Sequence, residues 1–217
     1  GWPRRSTDYE LRAQGEDDYV EQVTLSFPLG ATYNTVKAPL DPQAGNRVSL
    51  GVEPGISFGD GEASYTRITS SASTYRKISD RLVAAVRAEA GTFLGDEGVP
   101  VDRKFFAGGG GSVRGFEYQS LSPTDSDGNI IGGDAMFAAS LELRWRKSER
   151  WGYVAFVDSG YAADSIDEAF GEMRTSFGLG VRFYPGFGPV RFDIATPLDR
   201  RDGEDPVQIY VSIGQSF

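Results

Sequence analysis

The chain has 217 residues with 28 glycines, 11 prolines and a formal net charge of −9, and it contains neither cysteine nor histidine. Without those two residue types a Ser-His-Asp triad, a thiol nucleophile and nearly every zinc or haem site are excluded, and the negative charge disfavours a sequence-independent grip on nucleic acid. A glycine content well above the usual ~7% favours a turn-rich β protein.

Apolar and polar residues alternate with a period of two along almost the whole chain, and this alternation predicts β-strands. In chain order, the predicted strands lie near residues 7–15, 19–35, 47–57, 62–76, 81–94, 134–147, 151–161, 172–184, 189–197 and 206–217. No segment has a comparable helical period, and no apolar run approaches the ~20 residues of a membrane-spanning helix.

The connections between the predicted strands differ in length at the two ends. Short connections at 78–80, 147–150 and 185–188 alternate with longer acidic ones around 160–171 and 197–205. This asymmetry is typical of an outer-membrane barrel, which has short periplasmic turns and long external loops. The even number of predicted strands places both ends of the chain on the periplasmic side.

A soluble antiparallel sandwich or a lipocalin-like barrel also has alternating strands, so the alternation alone leaves both classes open. Two observations favour a transmembrane barrel. The predicted strands are long enough for a tilted crossing of the bilayer, and aromatic residues cluster near strand ends, as in an interfacial girdle. These aromatic residues are Trp2, Trp145, Trp151, Tyr153, Phe183, Tyr184, Phe187 and Tyr210.

Period two assigns both faces of every strand once one face has been placed. In a transmembrane barrel the apolar residues face lipid: Leu141, Leu143, Trp145, Phe177, Leu179, Val181, Ile209 and Val211. The residues of opposite phase face the lumen: Glu142, Arg144, Arg174, Arg182 and Asp193. The last predicted strand continues the apolar face through Ile213 to Phe217.

Residues 95–133 form the longest stretch without sustained alternation, and loops of that length in compact domains are usually functional or disordered. The stretch contains the glycine run Gly108, Gly109, Gly110 and Gly111, which permits backbone shapes that other residues cannot adopt. Its paired aromatic residues and ordered charges favour a packed, inserted loop over a disordered linker.

Nucleotide-binding and metal-binding interpretations of this loop fail on its residues. A P-loop ends in Gly-Lys-Ser/Thr, whereas Gly115 is followed by an aromatic residue, and a dinucleotide fingerprint needs a strand-to-helix context. Asp125, Asp127 and Asn129 resemble a calcium loop only superficially, because the position of the bidentate acid is Met136. A solvated turn is expected there, and no metal or cofactor.

The tetrapeptide Val113-Arg114-Gly115-Phe116 resembles the signature of the outer-membrane assembly-factor superfamily that includes BamA, TamA and the two-partner secretion transporters. The resemblance to the TamA-like branch extends to further segments: Phe105–Gly109, Tyr118–Leu121, Phe156–Gly160 and Gln208–Phe217. In that superfamily the tetrapeptide lies at the tip of a long external loop. The resemblance therefore implies that residues 95–133 fold back into the lumen of an all-β, antiparallel transmembrane barrel.

The same resemblance implies a sixteen-stranded barrel preceded by periplasmic POTRA domains. Sixteen strands and this loop exceed 217 residues, so residues 1–217 are expected to be the carboxy-terminal portion, about ten strands, of such a barrel. The implied function is not enzymatic: it is the insertion of proteins, autotransporters among them, into the outer membrane of a Gram-negative bacterium. The implied partners are outer-membrane lipid, client proteins and a TamB-like inner-membrane protein. A two-partner secretion pore is the alternative, because it shares the loop motif.

Candidate site residues follow from the motif and from strand phase. In the superfamily the motif Arg is held by acidic residues of the barrel wall, and Glu142 and Asp158 occupy such positions on the polar phase of their strands. The planar fork of a guanidinium can satisfy two carboxylate oxygens at once. We therefore expect Arg114 to pair with Glu142 or Asp158, with Val113 and Phe116 packed on the wall.

The last strand carries a second candidate signal. Its alternation with a terminal aromatic residue resembles the targeting signal by which outer-membrane barrels are recognised, and the residues concerned are Tyr210, Ile213, Gly214 and Phe217. Gln215 departs from a fully apolar face within this pattern. An ordinary barrel-closing strand explains the same residues equally well.

Overall fold

The computed structural model describes residues 22–59, 62–96, 98–186 and 188–217. The predicted strand at 7–15, Trp2 and Phe187 lie outside these residues. Within them the strands are β1 Gln22–Ser26, β2 Leu29–Asn34, β3 Gly45–Gly59, β4 Ala63–Ser79, β5 Leu82–Gly95, β6 Ala135–Arg146, β7 Trp151–Ala163, β8 Arg174–Phe183, β9 Val190–Pro197 and β10 Gln208–Ile213. A 3₁₀ turn, Val101–Arg103, and helix α1, Ile166–Gly171, are the other elements. No helix in this part of the chain has the length and apolarity to cross a membrane.

All strands belong to one antiparallel sheet in the order β1-β3-β4-β5-β6-β7-β8-β9-β10, with β2 also paired to β3. The predicted all-β, antiparallel architecture is confirmed, and the sheet is not closed into a ring within the described residues. β1 and β2 keep one register on β3, with Ser26 opposite Gly55 and Leu29 opposite Val52. They correspond to the predicted strand at 19–35, which is interrupted at Pro28 because proline has no N–H to donate to the ladder.

The two faces of the sheet divide as the alternation predicts. The outward side chains are apolar and exposed, and Leu141 and Leu179 are 47% and 52% accessible. The inward charged residues are buried, with Glu142, Arg182 and Asp193 at 0%. An apolar outer face around a buried polar interior is the arrangement of a transmembrane barrel and the reverse of a soluble one.

Aromatic residues gather at the end of the sheet that carries the short turns. Trp145 packs against Tyr153 with ring centroids 5.9 Å apart. Trp151 packs against Phe183 with centroids 5.0 Å apart. These two pairs have the positions expected of an interfacial girdle at that end.

For two other residues the girdle prediction is wrong. The guanidinium carbon of Arg146 lies 3.5 Å from the centroid of the Tyr184 ring. The Tyr210 hydroxyl forms hydrogen bonds with the loop between β5 and β6. Both tyrosine side chains face the interior. Tyr210 has the inward phase of β10, and Tyr184 contacts Arg146, which has the inward phase of β6. The presence of an aromatic residue near a strand end therefore did not distinguish a lipid contact from an interior one.

The external connection between β7 and β8 contains a helix that the alternation does not predict. Helix α1 is capped by the Ser165 side chain, which accepts a hydrogen bond from the Glu168 N–H at 3.3 Å. Phe170 of this helix stacks on Phe137 of β6, with centroids 4.4 Å apart. A helix of six residues is too short to reveal a hydrophobic period.

The end of the chain turns inward, so the prediction of one strand running through Phe217 is wrong. β10 ends at Ile213, and Gly214 follows with φ +92°, in the left-handed region that glycine tolerates. Phe217 therefore does not face lipid. It packs against a buried interior cluster made of Val36, Tyr75 and Ala85.

The turned end meets the connection 35–44 between β2 and β3. The Gln215 N–H donates to the Leu40 carbonyl oxygen at 3.0 Å. We name residues 35–44 and 214–217 together the lumen floor, because they lie across the interior at the end of the sheet that carries the short turns.

Candidate functional site

The loop 96–134 is fastened at its base to the inner wall. Phe105 and Gly133 bond to each other through both of their N–H groups, and each N···O distance is 2.9 Å. The Phe105 ring lies against Gly91 of β5, where a Cβ atom would stand 2.2 Å from the ring. Gly91 therefore leaves room in the wall for a side chain that is only 3% exposed.

Beyond its base the loop packs through an apolar face. Its buried residues form one cluster with two alanines of the wall: Phe105, Ala107, Val113, Phe116 and Leu121 with Ala138 and Ala162. Val113 is completely buried, and Phe116 is nearly so. These side chains place this part of the loop in the interior, whereas residues 126–130 of the same loop are exposed, as expected of a solvated turn.

Glycines allow two close approaches in this loop. A Cβ on Gly108, whose φ is +105°, would lie 2.6 Å from the Glu117 carbonyl oxygen. A Cβ on Gly110 would lie 2.9 Å from the Tyr210 ring of β10. The glycine run thereby folds the loop on itself and brings it against the last strand, whereas Gly111 has open space around it.

The tip of the loop is held by Arg114, whose side chain is 1% exposed. Its Nε and Nη2 donate to the two oxygens of Asp158, at 2.6 and 2.9 Å. Its Nη1 lies 2.7 Å from Oε1 of Glu142 and 3.1 Å from Oδ2 of Asp193. One guanidinium therefore meets buried carboxylates from three strands, β6, β7 and β9.

Further contacts complete the surroundings of Arg114. The guanidinium carbon lies 3.5 Å from the centroid of the Phe156 ring, and Nη2 also donates to Ser140 Oγ at 3.3 Å. The Arg114 N–H donates to Asp158 at 3.1 Å, and its carbonyl oxygen accepts from the Ser176 hydroxyl. Both the main chain and the side chain of Arg114 are thus bonded to the wall.

The electrostatic surroundings of Arg114 keep it charged. Burial by itself lowers the pKa of the Arg114 guanidinium. The hydrogen bond to Asp158 and the charges of Glu142, Asp158 and Asp193 outweigh burial, so the pKa is raised above its ordinary value. Arg114 therefore contributes a full positive charge among the carboxylates.

Gly115 brings the tip of the loop against the last strand. Its φ is +96°, and a Cβ there would lie 2.7 Å from the Ser176 Cβ, so only glycine fits. The Gly115 N–H donates to the Tyr210 hydroxyl at 2.9 Å, and that hydroxyl donates to the Phe116 carbonyl oxygen at 3.1 Å. Tyr210 therefore links β10 to two successive residues of the motif.

The carboxylates that hold the loop belong to a larger charge network on the inner wall. Glu142 also accepts from Arg144 Nε at 2.7 Å, and Asp193 pairs with Arg182. Arg191 Nε lies 3.7 Å from the same Asp193. The network binds and orients the loop; within the described ranges no cluster of acidic side chains has the geometry of a metal site.

A family model described as the Omp85 superfamily domain matches residues 3–217. The chain belongs to the Omp85 superfamily. Its members are β-barrel proteins of the outer membrane of Gram-negative bacteria, and this is where the chain resides.

Two known proteins are similar to this Omp85 chain. Outer membrane protein assembly factor BamA of Nitratidesulfovibrio vulgaris strain Hildenborough is 36% identical over 152 residues, which cover 66% of this chain and 19% of the relative. A crystal structure of BamA from Haemophilus ducreyi lacking POTRA domains 1–3 has a TM-score of 0.73 at 21% identity, covering 93% of this chain and 44% of that chain. At that identity the second likeness shows the fold alone, and the chain spans about a fifth of the curated relative's length.

The structure of the Omp85 chain brings Arg114 to Glu142 and Asp158 together, where the sequence indicated either acid. It also adds two partners that the sequence analysis did not name for Arg114, the carboxylate of Asp193 and the ring of Phe156. Both have the inward phase of their strands, which is a signal available from sequence. The curvature of the sheet, which brings these residues to one point, leaves no such signal in the sequence.

The predicted terminal-strand residues have four different positions in the structure. Tyr210 bonds to the loop, Gly214 turns the chain inward and Phe217 lies in the lumen floor. Ile213 faces outward and is 62% exposed.

Proposed function

We propose that this Omp85 chain is the barrel part of a factor that inserts proteins into the outer membrane, and that residues 1–217 are the carboxy-terminal portion of a sixteen-stranded barrel. The name of the curated relative, an assembly factor, supports the function. The 19% share of that relative's length supports the partial barrel. No covalent bond changes in this function, because strands only pair and separate.

The last strand supplies the edge at which a client strand pairs. β10 has six residues and, among the described strands, pairs only with β9. Its other edge has no partner among these strands, and backbone N–H and C=O groups are very costly to leave unpaired in lipid. A client strand that satisfies these groups is stabilised at the edge, so the edge acts as a template for insertion.

The observation that carries the proposal is the bond between this edge strand and the loop. The Tyr210 hydroxyl binds Gly115 and Phe116, while Arg114 anchors the same tip to β6, β7 and β9. A buried charge network thereby helps to position a strand of six residues that, among the described strands, has a ladder only with β9. In the proposed mechanism the loop aligns β10 for strand pairing, and rearrangement of the loop changes that alignment.

We further propose a TamA-like role, with autotransporters among the clients, a TamB-like inner-membrane partner and outer-membrane lipid around the barrel. The resemblance of Phe105–Gly109 and Gln208–Phe217 to the TamA-like branch supports this finer assignment. A two-partner secretion pore has less support because, although it shares the loop motif, the segments flanking the motif resemble the TamA-like branch more closely.

Photocrosslinking of assembly intermediates tests the proposal. The photoreactive residue p-benzoylphenylalanine is placed at Val211 of β10 or, as a matched control, at Leu141 on the outward face of β6. We expect capture of an inserting barrel protein at Val211 and little at Leu141. Tyr210→Phe should reduce capture at Val211, since it detaches the loop from the edge strand.

Equal capture at the two positions would contradict the proposed edge. Capture of autotransporters and simple barrels with the same efficiency would support the assembly function and count against the TamA-like specialisation.

A further inference from the structure

Beyond β10 the chain is held by a set of contacts that is separate from the loop site. The Gly214 N–H donates to the Pro189 carbonyl oxygen at 2.7 Å, and the Gln215 N–H donates to the Leu40 carbonyl oxygen at 3.0 Å. No ladder continues past Ile213 among the described residues. Residues 214–217, which we name the tail, are therefore bonded to turns and side chains instead of to a neighbouring strand.

The wall offers a formed pocket to the aromatic end of the tail. Phe217 packs on Val36, Tyr75 and Ala85, and its ring centroid is 6.1 Å from that of Tyr75. Arg144 lies 5.1 Å from the centroid of the Phe217 ring, and its Nη2 donates to the Phe217 carbonyl oxygen at 3.1 Å. Tyr75 and Ala85 are fully buried, so the tail covers side chains that would otherwise meet water.

The amide of Gln215 is recognised at both of its polar atoms. Its oxygen accepts from Arg182 Nε at 2.9 Å, and its nitrogen donates to Asp41 Oδ1 at 2.9 Å. Asp41 is itself held by Arg146, whose Nη1 lies 3.0 Å from Oδ2. An amide satisfies a donor and an acceptor at this spacing, which a carboxylate or an ammonium group cannot do.

These contacts join strands that are far apart in the order of the described sheet. The tail follows β10, whereas Leu40 and Asp41 belong to the connection between β2 and β3. Across the lumen the tail also reaches β4 through Tyr75 and β6 through Arg144.

We propose that Val36, Asp41, Tyr75, Ala85 and Arg144 form a peptide-binding site for an extended segment with a glutamine two residues before a phenylalanine. The tail of the chain occupies this site as a releasable latch that ties β10 to the connection between β2 and β3 across the lumen and closes the lumen at the periplasmic end. The latch is releasable because it has no ladder and Phe217 is only half-buried. The latch does not depend on the proposed assembly function, since the segment that occupies the site belongs to the chain itself.

Distance measurement between spin labels tests the latch. The sequence has no cysteine, so Gln43→Cys in the connection and Ser216→Cys in the tail give unique labels on the full chain in lipid vesicles. We expect one narrow distance distribution. Phe217→Ala should raise the ratio of displaced to docked tail about tenfold, the change produced by losing ~1.4 kcal/mol of docking free energy. Leu141→Ala, a truncation on the outward face of β6, should leave the distribution unchanged.

A synthetic peptide of residues 208–217 supplies the second arm. Added in excess to the labelled chain, it should displace the tail, whereas the same peptide with Phe217→Ala should not. Because this arm leaves the tail's phenylalanine intact, it remains decisive if Phe217→Ala prevents folding, and Asp41→Ala provides a further variant outside the strands. A folded Phe217→Ala chain with the parent distribution, or a peptide without effect at saturation, would overturn the proposal. Label pairs formed between two chains would also overturn it, because a second copy would then be the occupant.

Discussion

The guanidinium of Arg114 uses its geometry as well as its charge. Two of its nitrogens meet the two oxygens of Asp158, and a third lies between Glu142 and Asp193. A lysine ammonium is a compact point charge that cannot span these positions at once. Because Arg114 and its carboxylate partners are almost fully buried, a carboxylate left without a positive partner there is costly.

Replacing Arg114 by Lys should therefore lower the free energy of unfolding although the charge is kept. We expect a loss of about 2 kcal/mol, below the ~3–5 kcal/mol of removing one partner of a buried pair altogether. The measurement is urea unfolding in lipid vesicles followed by tryptophan fluorescence. Arg87→Lys is the control, because Arg87 reaches the loop only through one contact of 3.4 Å to the Gly111 carbonyl oxygen. Equal losses for the two variants would show that the fork of Arg114 has no special role.

Tyr210→Phe removes one hydroxyl and with it two hydrogen bonds to the motif. The expected loss of stability is about 1–3 kcal/mol, because each net hydrogen bond contributes about 0.5–1.5 kcal/mol. Limited proteolysis in the loop 96–134 should become faster as the tip loosens. Tyr33→Phe, at a side chain that is 64% exposed on β2, should change neither measurement. A loop as resistant as the parent's would mean that Tyr210 does not hold it.

At the scale of the elements, the outer faces of β6 to β9 form a continuous apolar surface around a polar wall. Leu179 of β8 is opposite Ala155 on one side and Ile194 on the other. A charge at its position would have to enter the hydrocarbon layer, whereas the same charge in an external loop meets water.

Leu179→Arg should accordingly lower the free energy of unfolding in lipid by about 2–4 kcal/mol if this position lies near the bilayer midplane. Leu198→Arg, at a residue that is 64% exposed in the external connection 198–207, should have little effect. Folding into vesicles, detected by the shift in gel mobility between folded and heated samples, checks both variants. Insertion of Leu179→Arg with the parent's yield and stability would place that face outside the lipid.

The external connection 198–207 is linked to the wall by a pair that responds to pH. Arg174 Nη1 lies 2.9 Å from Glu204 Oε1, and its hydrogen bond holds the pKa of the Glu204 carboxyl below its ordinary value of 4.5. A depressed pKa means that the pair contributes stability above the ordinary value and loses it as the pH falls through the lowered one. We expect proteolysis of this connection by an acid-active protease to accelerate in that acidic range, and Glu204→Gln to remove most of the change. A parent profile that is flat below pH 4.5 would contradict the link.

At the scale of the whole molecule, the interior is occupied from both ends. The loop 96–134 packs into it from the external end, and the lumen floor crosses it at the periplasmic end. Closed into a barrel, a sheet with this polar inner face would leave a polar channel, so the state of these two segments decides whether the lumen conducts.

We therefore expect the chain to conduct ions poorly in a planar bilayer and a variant lacking residues 108–120 to show frequent, larger openings. Deleting residues 166–171 is the matched control, because α1 lies on the outer side of β6 and β7. Large steady conductance in the unaltered chain would favour the secretion-pore alternative over the assembly function.

The sequence by itself determined the features that depend on local periodicity. Alternation with period two assigned Leu179 to the outer face and Glu142 to the inner one, since neighbouring side chains of a strand must point to opposite sides. The interruption of that alternation identified residues 95–133 as an inserted loop, and the motif around Arg114 indicated the superfamily. Inward phase also restricted the partners of Arg114 to a few acids.

Only the tertiary structure decided which inward residues meet. Asp193 is 79 residues from Arg114 along the chain, and Tyr210 is 95 residues from Gly115. Their contacts depend on how far the sheet curves between β6 and β10, which accumulates from the small twist of each strand pair and leaves no local pattern. The inward turn at Gly214 could not be predicted from the sequence either, because glycine permits a left-handed backbone without requiring it. That turn is stabilised by the contacts of Phe217 and Gln215 with strands far along the sheet.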